Sequence, residues 1–314
     1  MNAQHPPSIR HIAVMLSDEL DAPRALEEAL GIARAHEAKL TVLAPAGDLS
    51  GGLNSDELSE DVRRRLKAEV EKRRDQHLQG LMEKVRSQHA DVDCQLLAGR
   101  HWHQAVLNWQ EQHPVDLMIK DLSVDSHRRS HLFTPLDWHL LRGTRSALLI
   151  VGAQTQSGPV VAAVDLVAAR DKPLSLDGQV LRWSRWLSDL RQRPLHVAHA
   201  FETVENLRLP FGFDRLMPES DLKAVRAEHQ ALLDRVSESI EVPPSRRHLL
   251  ESPPGRAIPE LCREQAADTL VLGTVRRGRL ERMVLGSTAE SIIHALDGDL
   301  LAIPPSETDA GQER

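Results

Sequence analysis

The chain has 314 residues, a formal charge of -7, 3% aromatic residues and no tyrosine. That length suits two domains of ordinary size, each burying its own core. The acidic balance, with a pI near 6.1, argues against a surface that neutralises nucleic-acid phosphates or adsorbs on anionic lipid, and the scarcity of aromatics argues against a single-strand stacking platform.

Two cysteines, Cys94 and Cys262, fall in different halves and offer neither a disulfide framework nor metal-ligand spacing, as expected of a reducing cytoplasm. Met1 to Pro7 is polar and lacks a signal-peptide core, and the longest apolar runs are strand-sized, so neither export nor a membrane span is expected.

Short apolar runs alternate with amphipathic stretches along the first half. The pattern predicts a strand at 11–16, a helix at 21–36, a strand at 39–43 and a long charged helix from about 56 to 89. A strand at 91–97, a helix at 103–112, a strand at 116–120, a helix at 135–142 and a strand at 146–151 follow. The second half runs in the same order: strand 160–165, helix 173–190, strand 195–199, helix 219–240, strand 247–250, helix 256–264, strand 269–273, helix 288–296 and strand 299–303. Strands alternating with helices imply parallel strands joined by right-handed crossovers. The expected fold is therefore α/β, two tandem doubly wound parallel sheets of five strands each.

The two halves are an internal repeat. A constant offset of 152 residues carries Asp116-Leu-Met-Ile-Lys120 onto Asp268-Thr-Leu-Val-Leu272 and Leu148-Leu-Ile-Val151 onto Leu300-Leu-Ala-Ile303, with no gap between them. On the same register Thr134-Pro-Leu-Asp137 falls on Gly286-Ser-Thr-Ala289. The small and polar residues from Gly152 to Gly158 read as a linker. The expected domains are 8–152 and 158–305, with 306–314 as a disordered tail.

In the second half, Gly273-Thr-Val-Arg-Arg-Gly-Arg-Leu-Glu-Arg-Met-Val-Leu-Gly-Ser-Thr288 follows a strand and opens a helix. Glycines let backbone amides approach a phosphate, a helix amino end presents unpaired N–H groups, and hydroxyls add donors. In a doubly wound sheet the crevice at the carboxyl ends of the strands is where ligands bind. A second reading stays open, because Ser287 with Glu290 is also a capping box that starts any helix.

This segment resembles the phosphate-binding stretch of ATP-binding universal stress proteins: a glycine, two residues, a second glycine, nine residues, then Gly-Ser. Gly273 and Gly286-Ser287 match in spacing, whereas Arg276 stands at the second glycine, with Gly278 nearby to restore the turn. The family's carboxylate after the first strand falls on Asp165. The resemblance implies a nucleotide site of Asp165, Gly273, Arg276, Gly278, Gly286, Ser287 and Thr288, taking ATP or another adenine nucleotide with magnesium.

At the corresponding place the first half reads Asp121 for the first glycine and Thr134-Pro135 for Gly-Ser, while Leu16 and Ser17 stand where the carboxylate would be. This half is not expected to bind nucleotide. Phe133-Thr-Pro-Leu-Asp-Trp-His-Leu-Leu-Arg142 nonetheless resembles the degenerate segment of the tandem universal stress proteins of the E group, as Leu285-Gly-Ser-Thr-Ala-Glu290 does in the second half. That resemblance implies a non-catalytic cytoplasmic stress-response protein, linked to resistance to DNA damage, whose halves pair through their last strands. It further implies a small-molecule ligand and an option to form a homodimer. A carrier of an apolar ligand and a slow ATPase or adenylate-transfer enzyme are the alternatives.

Other features carry less. Ser50-Gly-Gly-Leu-Asn-Ser55 resembles a pyrophosphatase loop but follows the second strand rather than the first, so it reads as a connection. His101 and His103 lack further ligands for a metal site. Trp102, Trp109, Trp138, Trp183 and Trp186 read as core or inter-half packing.

Overall fold

The structure, a computed structural model, describes residues 6–17, 19–46, 59–99, 101–122, 135–152, 156–166, 175–202, 219–274, 292–293, 296 and 298–305. The first half contributes β1 (His11–Met15), α1 (Pro23–His36), β2 (Lys39–Pro45), α2 (Glu60–Gln88), β3 (Val92–Leu97), α3 (Trp102–Gln112), β4 (Leu117–Asp121), α4 (Pro135–Gly143) and β5 (Ala147–Val151). The second contributes β6 (Val160–Ala163), α5 (Ser175–Arg191), β7 (Leu195–Ala200), α6 (Glu219–Glu238), β8 (Arg247–Leu250), α7 (Pro254–Glu264), β9 (Thr269–Gly273) and β10 (Asp299–Ile303).

All ten strands lie in one sheet, in the order β3-β2-β1-β4-β5-β10-β9-β6-β7-β8. Read outward from the middle, the two halves have the same strand order. Within each half the pairing is parallel, with Ile12 opposite Leu40 and Leu117, and Val160 opposite Leu195 and Thr269. At the seam β5 and β10 run antiparallel, with Leu300 opposite Ile150 and Ala302 opposite Leu148.

Strands covered on both faces need apolar residues at every position, not at alternate ones. β5 and β10 are buried throughout, and β1 is buried over Ile12, Ala13, Val14 and Met15. One face packs α1, α2, α5 and α6 around Ile12, Val14, Leu40, Leu187 and Leu233. The opposite face packs α3, α4 and α7 around Ala13, Met118, Leu140, Leu261 and Ile293. The edge strands are less covered: β3 leaves Asp93, Gln95 and Leu96 exposed, and β8 is half-buried at each residue.

Helix starts differ from the sequence expectation where the cap is not local. α1 begins at Pro23 instead of 21, since proline's fixed φ suits the first turn. α7 begins at Pro254, two residues before the expected start, for the same reason. β6 ends at Ala163, short of the expected Asp165. α1 and α5 both leave into a left-handed residue, Glu37 at φ 52° and Gln192 at φ 54°. The expected loop at 50–55, the tail at 306–314, the middle of the linker at 153–155 and all but positions 292, 293 and 296 of the helix at 288–296 lie outside the described residues.

The halves also meet through side chains of α1 and α5. Trp186 Nε1–H donates to His36 Nε2 at 2.9 Å. Arg191 reaches Glu28 at 2.7 Å, Asp268 at 2.6 Å and Asp299 at 2.9 Å. Trp109, Trp183 and Trp186 are buried, and Trp102 and Trp138 pack against the core.

Candidate ligand crevice

In each half the first and fourth strands are neighbours at the centre, and their carboxyl ends flank the point where strand order reverses. Ligands of doubly wound sheets bind at such a point. The backbone there repeats closely. Leu122 N–H donates to Val151 O at 2.8 Å after β4, and Thr274 N–H donates to Ile303 O at 2.8 Å after β9. What differs is the side chains.

In the first half a carboxylate takes the amino end of α1. The Ala25 N–H donates to Asp121 Oδ1 at 2.7 Å, from 96 residues away in sequence, while the N-cap residue Ala22 offers no side-chain cap. Burial pushes the Asp121 carboxyl up, and the N–H groups of Ala25 and Arg24 oppose that shift by favouring the anion. The loop before α1 is tied down by its own residues: Ser17 Oγ donates to Asp21 Oδ1 at 2.6 Å and accepts from Glu19 N–H at 3.1 Å. On the other face of the sheet Lys120 and Asp137 form a buried ion pair. The Lys120 ammonium also donates to Asp121 O at 2.7 Å. An anion approaching this half meets a carboxylate already on the helix end.

In the second half the same places read differently. Gly273 ends β9, and a Cβ there would come within 2.8 Å of Leu176 Cγ and Cδ2, so the glycine permits α5 to lie against the strand end. Asp165 is exposed just past β6, and its N–H donates to Asp177 Oδ1 at 3.1 Å in the first turn of α5. Burial pushes the Asp177 carboxyl up to about 6, with the Asp165 N–H acting against the shift and the Asp165 charge adding to it.

Beside Asp165 stands a stack that sequence reasoning missed. His199 at the end of β7 has Nδ1 at 3.1 Å from Val164 O and Nε2 at 2.8 Å from His229 Nδ1 on α6. A carbonyl can only accept, so His199 carries its proton on Nδ1, and its Nε2 then accepts from His229 Nδ1–H. Burial holds His199 below the usual histidine value, so its ring is neutral near pH 7. Phe201 stacks on His229 with centroids 4.1 Å apart.

Of the residues the sequence assigned to this crevice, Asp165 and Gly273 lie at the carboxyl ends of the adjacent strands β6 and β9. Arg276, Gly278, Gly286, Ser287 and Thr288 lie outside the described residues. Asp177, His199 and His229 carry no motif. They become visible only once α5, β7 and α6 are set against β6.

The pattern of the universal stress protein family matches residues 160–304, which hold the whole second half of the sheet. Over nearly the full length the chain is 24% identical to the universal stress protein E homolog of Haemophilus influenzae, covering 96% of this chain and 99% of that one. Residues 160–304 belong to the universal stress protein family, and the preceding half repeats the same strand order, so the chain is of a tandem type. The fold agrees with solved structures: a functionally unknown protein of Pseudomonas aeruginosa PAO1 superposes with a TM-score of 0.74 at 22% identity, over 97% of this chain and 95% of that one. A universal stress protein of Archaeoglobus fulgidus superposes with a TM-score of 0.57 at 17% identity, over 93% and 98%. The family pattern and the glycine-ended strand β9 coincide in the second half. No described helix is long and apolar enough to cross a membrane.

Proposed function

We propose that this universal stress protein is a non-catalytic stress-response protein of the cytoplasm that binds an adenine nucleotide in its second half, the first half serving as a packed partner. The observation that carries the reading is the exchange at one position of the repeat. Asp121 puts a carboxylate on the amino end of α1, whereas Gly273 leaves the corresponding strand end without a side chain. An anionic ligand is repelled from the first crevice and admitted to the second.

The residues of the second crevice suit such a ligand. The Asp165 carboxylate, exposed just past β6, can accept from ribose hydroxyls or an adenine amine, and the buried Phe201–His229 stack packs behind it. Gly286, Ser287 and Thr288, with Arg276 and Gly278, supply the phosphate contacts in this reading. Magnesium, when bound with ATP, would neutralise part of the phosphate charge. His199 is buried with both ring nitrogens engaged in hydrogen bonds, so it is not poised as a base, which favours binding over turnover.

Titration calorimetry with ATP and magnesium on the full chain and on Gly286→Val tests the reading. Saturable binding by the wild type that the valine abolishes is the expected result. Absence of binding by the wild type removes the nucleotide, and equal binding by both proteins removes the site. Native mass spectrometry of the protein as isolated would then identify an apolar cargo if one replaces it.

A further inference from the structure

Two grooves flank the seam between β5 and β10, one at each end, and their electrostatics differ. The first, of about 310 Å³, lies where β5 ends and β10 begins, and Arg191 there is neutralised by Glu28, Asp268 and Asp299. The second, of about 480 Å³, lies where β5 begins and β10 ends. Under the offset of the repeat Asp268 becomes Asp116 and Asp299 becomes Ala147, so one of the two strand carboxylates is missing. The other is already committed, since Asp116 Oδ2 accepts the N–H groups of Arg10 at 2.8 Å and His11 at 3.0 Å.

The second groove contains two arginines. Arg182 on α5 makes no hydrogen bond or ion pair among the described residues, and its Nε is buried without a partner. Arg145, just before β5, reaches only Glu111, at 3.4 Å, in a pair exposed on both sides. Trp183, Ile303 and Pro304 supply apolar wall. A buried guanidinium donor with no acceptor is rare in folded proteins and is satisfied by a group from outside when the site is open. The volume lies within the range of small-molecule sites.

We propose that this groove binds a small organic oxyanion, with Arg182 as its main anchor, Arg145 as a second and Trp183 against its apolar body. A planar guanidinium matches the two oxygens of a carboxylate or phosphate, which explains why arginine rather than lysine stands there. None of the residues of the second-half crevice lines this groove, so the site is separate from the one proposed for nucleotide.

The test is titration calorimetry at low salt on the full chain, with phenyl phosphate and, in a second arm, benzoate, which carries the same ring on a carboxylate. Saturable binding of at least one probe is expected, the stronger probe naming the oxyanion. Arg182→Gln should weaken it about tenfold or more and Arg145→Gln less, as charge-assisted hydrogen bonds lose most when buried. Arg256→Gln, on the exposed side of α7 and paired with Glu260, should leave binding unchanged. No saturable binding of either probe, or equal binding by Arg182→Gln and wild type, overturns the site. Should Arg182→Gln melt well below wild type without ligand, Arg182→Lys and the exposed Arg145→Gln decide. Wild-type affinity in both would then be the overturning result.

Discussion

At the carboxyl end of β4 a carboxylate closes the amino end of α1; at the carboxyl end of β9 a glycine lets α5 lie against the strand with nothing between. The backbones around the two places agree down to the hydrogen bond that follows each strand. The amino end of a helix at the centre of a doubly wound sheet favours negative charge. In the first half that charge comes from the fourth strand of the sheet, through Asp121. In the second half the fourth strand ends in a glycine, and the acidic residue in the first turn of α5 is Asp177, from the helix itself.

The largest expected effect lies in the first half. Lys120 and Asp137 are 4% and 0% exposed, so Lys120→Ala takes the ammonium away from a buried carboxylate and should cost about 3–5 kcal/mol in denaturant unfolding. The double variant Lys120→Leu with Asp137→Ala installs the residue types found at the corresponding second-half positions, Leu272 and Ala289, and should recover most of that loss. A single variant costing under about 1 kcal/mol would mean that the pair is solvated and the two halves less different than described.

Next in size is Gly273→Ala. Its methyl group would stand 2.8 Å from two carbons of Leu176, and moving that side chain or α5 should cost about 1–3 kcal/mol of unfolding free energy. An unchanged stability would show that α5 yields freely, and the glycine would then be unrelated to the close approach of helix and strand.

The smallest effect is a pH dependence. The folded Asp177 carboxyl titrates at about 6, above its ordinary value of 3.8, so the folded state holds a proton that the unfolded state has already released between those values. Stability from this group therefore falls as pH rises from about 4 to about 6. Asp177→Asn keeps the oxygen that accepts from Asp165 N–H and removes the titration. Its melting temperature relative to wild type should climb across that interval and level off above it. A difference that is flat with pH would place the Asp177 carboxyl in water.

Much of this architecture is legible in the sequence because strands buried on both faces leave continuous apolar runs. The expected ranges for β8, β9 and β10 coincide with the observed strands. Helix ends are less legible where the cap comes from afar. Nothing around Ala22 announces that Asp121, at the end of another strand, will accept the Ala25 N–H. Lys120 closes an apolar run as though facing water, yet it is buried, because its partner lies on α4. The position of Asp165 could be read from the repeat, being the residue that follows the first strand of its half. The His199–His229 pair could not, since the two rings come from β7 and α6 and share no spacing with any motif.

The antiparallel pairing of β5 with β10 has a consequence in terms of concentration. Two separate five-stranded sheets meeting at such a seam would associate in proportion to how much protein is present. Here the chain passes from β5 to β6 through residues 152–159, and the strands on either side of the seam belong to one molecule. A short tether of that kind holds its ends at an effective concentration of about a millimolar or more, so the seam persists on dilution. Released from having to find a copy of itself, the first half is free to diverge in its crevice while still completing the sheet on which the second half is built.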